Sequence, residues 1–267
     1  MAMRHCIIGM GSMGQRHLSI LKQLRPNDTC ITVDINGQAD YSNLRETSVR
    51  GSVVYICTPT VRHGVDLELI LWKNPRAVFV EKPMFASGDE APGVINLLYS
   101  MHPSVPICCA YQYRFHPVFQ QLRKEQDEDR RIFSFHVYAS DKSCTRYGHP
   151  LEALLAHPIA TAQWLFGDMA EHAAAADTYG AYFTAKSKSG VDISMSANTL
   201  SGQRISIVIL GWMNDTFRIH EQQILNIWAD EEMYQRQMEQ WLKYVETGEA
   251  GDLCTFQEAL KIQELLR

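Results

Sequence analysis

Apolar residues fall first into short blocks and later into alternation, and the change of pattern divides the chain. His5 to Ile8, Cys30 to Ile35, Gly51 to Cys57, Ala77 to Val80 and Val105 to Ala110 are short and mostly apolar, as parallel strands buried on both faces are. Between them, Met13 to Leu24, Val61 to Trp72 and Glu90 to Met101 carry apolar residues at helical spacing. Strand and helix alternate over roughly the first 110 residues, which predicts a parallel sheet with helices on both faces.

Beyond Arg114 the pattern changes. A helix over Val118 to Gln126 precedes strands that follow one another without helices: Ile132 to Ala139, Ala173 to Tyr179, Tyr182 to Ser187, Val191 to Asn198, Arg204 to Leu210, and two short ones near 216 and 225. Val191-Asp192-Ile193-Ser194-Met195 alternates apolar and polar, which predicts an antiparallel sheet with unlike faces. Helices over Glu231 to Glu246 and Thr255 to Leu266 close the chain, and Gln126 to Arg131 reads as a charged, wet turn.

The turn after the first strand states a chemical task. Its glycines stand at 9, 11 and 14, the G-x-G-x-x-G spacing, between a strand and a helix. Gly9 permits the tight turn, Gly11 keeps side chains away from a pyrophosphate, and Gly14 lets helix and strand lie close. The helix start at Ser12 and Met13 then offers N–H groups and the positive dipole end to phosphates. The second strand ends on Asp34, 20 residues after Gly14, where such a unit places the carboxylate that accepts hydrogen bonds from a ribose. Ile35 and Asn36 follow it, with no Arg or Lys to meet a 2′-phosphate, so charge favours NAD over NADP.

Length and composition bound the rest. At 267 residues and 46% hydrophobic, the chain suits two domains with a core in each, placed at 1–115 and 116–267. A formal net charge of −5 gives no basic footprint for nucleic acid or an anionic membrane, and the class is soluble and globular. The seven cysteines form an odd set without a C-x-x-C pair, several of them inside apolar strands, so buried free thiols in a reducing cytoplasm are expected. The glycines interrupt any signal-peptide apolar core, no run approaches a membrane span, and no metal is expected.

Ligands of parallel sheets bind at the carboxyl ends of the strands. Thr58, Pro59, Glu81 and Lys82 fall on that rim with the glycine turn, as do Tyr111 and Gln112. An ammonium there can hydrogen-bond the oxygen of a carbonyl or alcohol and move a proton, and a positively charged nicotinamide ring nearby would favour its neutral form. Pro83 restricts the backbone of Lys82 to extended conformations.

Five motifs in order carry a resemblance: Gly-Met-Gly-Ser-Met-Gly; Cys57-Thr58-Pro59 with His63 downstream; Glu81-Lys82-Pro83; Tyr113-Arg114-Phe115-His116-Pro117; and His157 ten residues before Gly167. Together, over nearly the whole chain, they resemble the glucose-fructose oxidoreductase, inositol dehydrogenase and MocA family. The resemblance implies an α/β Rossmann domain, then an α+β domain with an open-faced, mainly antiparallel sheet through which a homodimer or homotetramer forms. It implies a nicotinamide dinucleotide, a small polar substrate such as a sugar or cyclitol, and Lys82 and His157 as catalytic residues. His63 joins the cofactor-binding set, and Arg114, with Tyr147 and His149 in the loop before residue 151, the substrate-binding set.

Where sugar-oxidising members carry aspartates, this chain has Ala153 and Ala160. Glu152 lies one residue off, about 100° round a regular helix, and substitutes only if the backbone shifts. Two other readings therefore stay open: reduction of a ketone, imine or conjugated double bond, and a dinucleotide-binding sensor without turnover.

Overall fold

The computed structural model describes residues 2–37, 39–86, 105–125, 131–140, 151–200, 205–213, 218–221 and 231–266. In chain order the described elements begin with β1 (Arg4–Ile8), α1 (Ser12–Leu24), β2 (Thr29–Val33), β3 (Val53–Ile56), α2 (Thr60–Leu71), β4 (Ala77–Val80) and β5 (Ile107–Cys109). A single 3-10 turn (Gln112–Phe115), α3 (Pro117–Glu125), β6 (Arg131–Ser140), a π turn (Leu151–Leu155) and α4 (Ala156–Phe166) follow. The rest are β7 (Met169–Ala176), β8 (Gly180–Ser187), β9 (Asp192–Asn198), β10 (Ile205–Met213), β11 (Arg218–Glu221), α5 (Glu232–Thr247), β12 (Cys254–Thr255) and α6 (Phe256–Leu265). The expected helix over Glu90 to Met101 lies outside the described residues.

The chain divides into two units, Met1–Ala110 with Gln235–Leu260, and Tyr111–Tyr234 with Lys261–Arg267. The first holds a sheet of order β12-β5-β4-β3-β1-β2, in which β1 to β5 run parallel and β12 pairs antiparallel with β5. Its strands are apolar on both faces because both are covered: β3 and β4 are buried at every position. On α1 the buried residues are Gly14, His17 and Leu21, one stripe of the helix.

This division falls at 110/111, beside the boundary expected at 115/116, and returns Gln235–Leu260 to the first unit. Trp241 of α5, fully buried, stands edge-on to Phe79 of β4 with ring centroids 5.5 Å apart. Cys254 and Thr255 add an edge strand opposite Cys109 and Cys108. A two-residue strand has no periodicity to read, so Thr255 looked like a helix start; it is also the cap of α6, exchanging hydrogen bonds with Glu258.

The second unit holds a sheet of order β11-β10-β6-β9-β8-β7, antiparallel except for the central parallel pair β6 and β9. Phe135, Val137, Phe183, Ile193 and Met195 are buried on its inner side, and α4 is buried round nearly its whole circumference, with Phe166 edge-on to Phe135 at 5.4 Å. On the outer side Tyr138 and Tyr182 flank Ser196 in register and are exposed. The strand expected over Ala173 to Tyr179 instead ends at Ala176, because the Asp177 carboxylate accepts the amides of Tyr179 and Gly180 and turns the chain. Of the two short strands expected near 216 and 225, Arg218–Glu221 is described, whereas 214–217 and 222–230 lie outside the described residues.

Candidate active site

In the first unit, the strand ends are level. Val33, Ile8, Ile56, Val80 and Cys109 form one row across the sheet, so the residues that follow them, Asp34, Gly9, Cys57, Glu81 and Ala110, share one rim. Amide-to-carbonyl bonds from Gly9 to Val33, Cys57 to Ile8 and Glu81 to Ile56 lock the row at 2.9, 2.8 and 2.9 Å. The order reverses at β1, whose neighbours are β2 and β3, and this is the switch point at which open α/β sheets bind ligands. From the strand of Asp34 to that of Lys82 is three strand spacings, roughly 14 Å.

The three glycines meet different surroundings. Gly9 has φ +89°, and a Cβ there would lie 2.6 Å from the carbonyl oxygen of Cys57. At Gly14 a Cβ would collide with the Gly9 carbonyl, with Ile7 just beyond, so this glycine sets the contact of α1 with its strand. At Gly11 a Cβ would meet nothing within 4 Å. No side chain caps α1, its first turn carries no acid, and Gly11 and Ser12 are exposed, with Met13 half-buried. Open space at Gly11 and uncapped N–H groups fit the pyrophosphate of a dinucleotide.

Asp34 falls one residue past β2, which stops at Val33 rather than running on to Ile35. Its carboxylate accepts the Met10 amide at 2.6 Å and the Asn36 amide at 2.8 Å. The acid therefore braces the glycine turn from the end of the neighbouring strand.

Several residues of the expected cofactor set hold the rim from behind. The Thr58 hydroxyl donates to Asp66 of α2 at 2.8 Å, and Pro59 starts that helix. His63 is buried, and each ring nitrogen lies 2.8 Å from a backbone carbonyl oxygen, Nδ1 from that of Pro83 and Nε2 from that of Thr58. Carbonyls only accept, so the ring donates to them and accepts from neither. His63 thus clasps the turn after β3 to the turn after β4. Glu81 is buried too, and its carboxylate accepts from His17 Nε2 at 2.7 Å. Lys82, half-buried and joined to Pro83 by a cis peptide, follows directly, so its backbone is fixed by the His17–Glu81 pair before it and by His63 behind it.

The nearby thiols stay protonated. Desolvation first, and the charge of Glu81 second, push Cys57 well up; desolvation does the same to Cys109, which donates weakly to the Glu81 carbonyl. Among the described residues no group of three or more His, Cys, Asp or Glu could hold a metal ion. No helix among them is long and apolar enough to cross a membrane.

In the second unit, His157 is buried in the first turn of α4. Its ring stacks on Tyr113 (4.6 Å, 18°) and meets Tyr111 edge-on (5.8 Å, 89°). Two aromatic walls fix the plane of the imidazole. Arg114 is buried on the same short turn as Tyr113, and its carbonyl accepts from Gln120 at 2.6 Å. Tyr147 and His149 lie outside the described residues.

The helix expected around His157 departs from regular geometry at its start. The chain makes a π turn over Leu151–Leu155 before α4 begins. Pro158, two residues into that helix, has no N–H to offer the Leu154 carbonyl, which frees the preceding turn to widen. Pro158 was the available signal, and His17, three residues after Gly14 on the strand-facing stripe, was the signal for the partner of Glu81.

Residues 3–105 match the family described as the GFO_IDH_MocA oxidoreductase family, NAD-binding Rossmann fold. No curated protein sequence matches the chain. Among solved structures the fold is similar to myo-inositol 2-dehydrogenase from Lactobacillus plantarum (TM-score 0.81, 14% identity, covering 100% of this chain and 95% of that one). It is also similar to the UDP-N-acetylglucosamine 3-dehydrogenase GnnA from Acidithiobacillus ferrooxidans (TM-score 0.75, 16% identity, 100% and 95% covered). A third likeness is the WlbA dehydrogenase from Thermus thermophilus, whose structure contains NAD and UDP-GlcNAcA (TM-score 0.73, 13% identity, 99% and 93% covered).

Proposed function

We propose that this chain, whose residues 3–105 match the NAD-binding Rossmann fold of the Gfo/Idh/MocA oxidoreductase family, is a dehydrogenase of that family moving a hydride between NAD and a small polar substrate: a sugar, a cyclitol or a related carbonyl or imine compound. The observation that carries this reading is the level rim, with the open glycine turn and Asp34 toward one edge and Glu81-Lys82 two strands beyond Gly9 toward the other. Gly9, Gly11, Ser12, Met13 and Gly14 would hold the pyrophosphate, and Asp34 the ribose. When bound, NAD supplies the hydride acceptor or donor.

The chain supplies position and a proton path. Lys82 Nζ hydrogen-bonds the substrate oxygen and takes its proton on oxidation, or returns it on reduction. Glu81 and His63 keep the Lys82 turn in place, and His157 assists from its aromatic clamp. The exposed Tyr138 and Tyr182, which flank Ser196 in register, support a homodimer or homotetramer formed through the outer face of the second sheet. The free cysteines among the described residues support a reducing, cytoplasmic setting.

The test is absorbance at the reduced-nicotinamide band when purified protein and NAD meet a panel of cyclitols, sugars and nucleotide sugars, and when protein and NADH meet keto acids and imines. Turnover with one of them is expected. Tight NADH binding with no turnover on any arm would replace this reading with that of a sensor.

Asp34 sets the choice of dinucleotide. A carboxylate beside a 2′-phosphate is a repulsive pair, so NADH is expected to bind more tightly than NADPH in fluorescence titration. Asp34→Ala should narrow that gap and, by releasing the Met10 amide, weaken NADH by about tenfold. Tighter NADPH binding by the unmodified protein would overturn the preference.

A further inference from the structure

One buried acid, Glu152, has a carboxyl oxygen with no hydrogen-bond partner among the described residues. Glu152 is 5% exposed, its Oε1 is shut off from water, and no hydrogen-bond donor among the described residues reaches that oxygen. Leu151, Ala153, Leu154 and Leu155 around it are all buried. A carboxylate in such a setting costs stability, and a leucine of similar volume would serve packing better. Buried polar atoms left unpaired in a folded chain point to a partner that the fold does not supply.

The backbone singles out the same residue. Glu152 lies in the π turn, five residues before His157. On a regular α-helix residues five apart sit about 140° apart round the axis. A turn closed from i to i+5 needs an extra residue to go round, which carries Glu152 back toward the side of His157. Such turns are frequent at functional sites. The backbone shift that the sequence left as a condition for Glu152 is therefore present.

We propose that Glu152 is a substrate-binding residue: its carboxylate accepts a hydroxyl of the substrate on the side of His157, and the π turn brings it there. The proposal rests on the dehydrogenase reading and narrows it to hydroxyl-bearing substrates, sugars or cyclitols, whose hydroxyl groups supply the hydrogen-bond partner that Oε1 lacks among the described residues. A simple keto acid offers no such donor at its reacting carbon.

The experiment uses the full chain as Glu152→Leu and Glu152→Gln, with myo-inositol and UDP-N-acetylglucosamine as probes. Thermal unfolding without probe is expected to rise by roughly 2 °C or more in Glu152→Leu, because a buried unpaired carboxylate is removed. NAD affinity should be unchanged, while kcat/KM for the accepted probe falls at least about tenfold in both variants, the size of one charged hydrogen bond. A fall of several degrees in both variants would make Glu152 structural and overturn the proposal without reference to activity. Unchanged kcat/KM in both would also overturn it, leaving the dehydrogenase reading intact. Failure of the unmodified protein to reduce NAD with either probe, while it turns over a substrate lacking hydroxyls, would overturn this proposal alone; silence on every substrate would remove both.

Discussion

Lys82→Ala is expected to lose about 10²-fold or more in turnover while NAD binding, followed by fluorescence titration, stays within about twofold, because general acid–base assistance contributes 10²–10⁴-fold. The separation is expected from how the lysine is held. Its backbone position comes from Glu81, fixed by His17 at 2.7 Å, and from the Pro83 carbonyl, fixed by His63 at 2.8 Å, neither of which involves the ammonium. Lys82→Arg should recover little. Arginine keeps the charge but does not release its proton near neutral pH, so it distinguishes proton transfer from charge stabilisation. Near-normal turnover in Lys82→Arg would make the lysine a positioning charge, and near-normal turnover in Lys82→Ala would move the chemistry elsewhere.

Gly11→Val should abolish measurable dinucleotide binding, a loss of at least about 10²-fold, with the melting temperature nearly unchanged. The two halves of that expectation have one cause: a side chain at Gly11 meets no protein atom within 4 Å and so stands in the space that fits the pyrophosphate. Gly14→Val should behave differently, unfolding at markedly lower temperature, because its Cβ would strike the Gly9 carbonyl inside the contact of α1 with its strand. Calorimetry on the pair separates a ligand-facing glycine from a packing glycine. Normal NAD affinity in Gly11→Val would sink the placement of the pyrophosphate.

The glycine turn and the place of Asp34 on the rim were legible in the sequence because their signals are local. Gly9 needs a positive φ and Gly14 a missing Cβ, and both follow from steric conflicts within one strand–turn–helix unit. Asp34 could be placed by counting, since a βαβ unit of ordinary length returns the chain to the same rim. The alternation in β9 and the solid apolar runs of β3 and β4 likewise reported which faces would be covered.

What the linear chain left open were choices among distant partners. His63, read as a cofactor residue, has its two nitrogens taken by carbonyls 5 and 20 positions away, and Glu81 finds His17 64 positions back. Those pairings arise from strand register, which brings β1, β3 and β4 level, and register depends on the whole sheet. The return of β12 to the first sheet and the parallel pairing of β6 with β9 are of the same kind: each closes a long loop whose reward comes only from contacts at its far end. At Glu152 the difference was a single residue of phase. Periodicity assumes one hydrogen-bonding pattern along a helix, and a proline that withholds one N–H shifts every residue upstream of it.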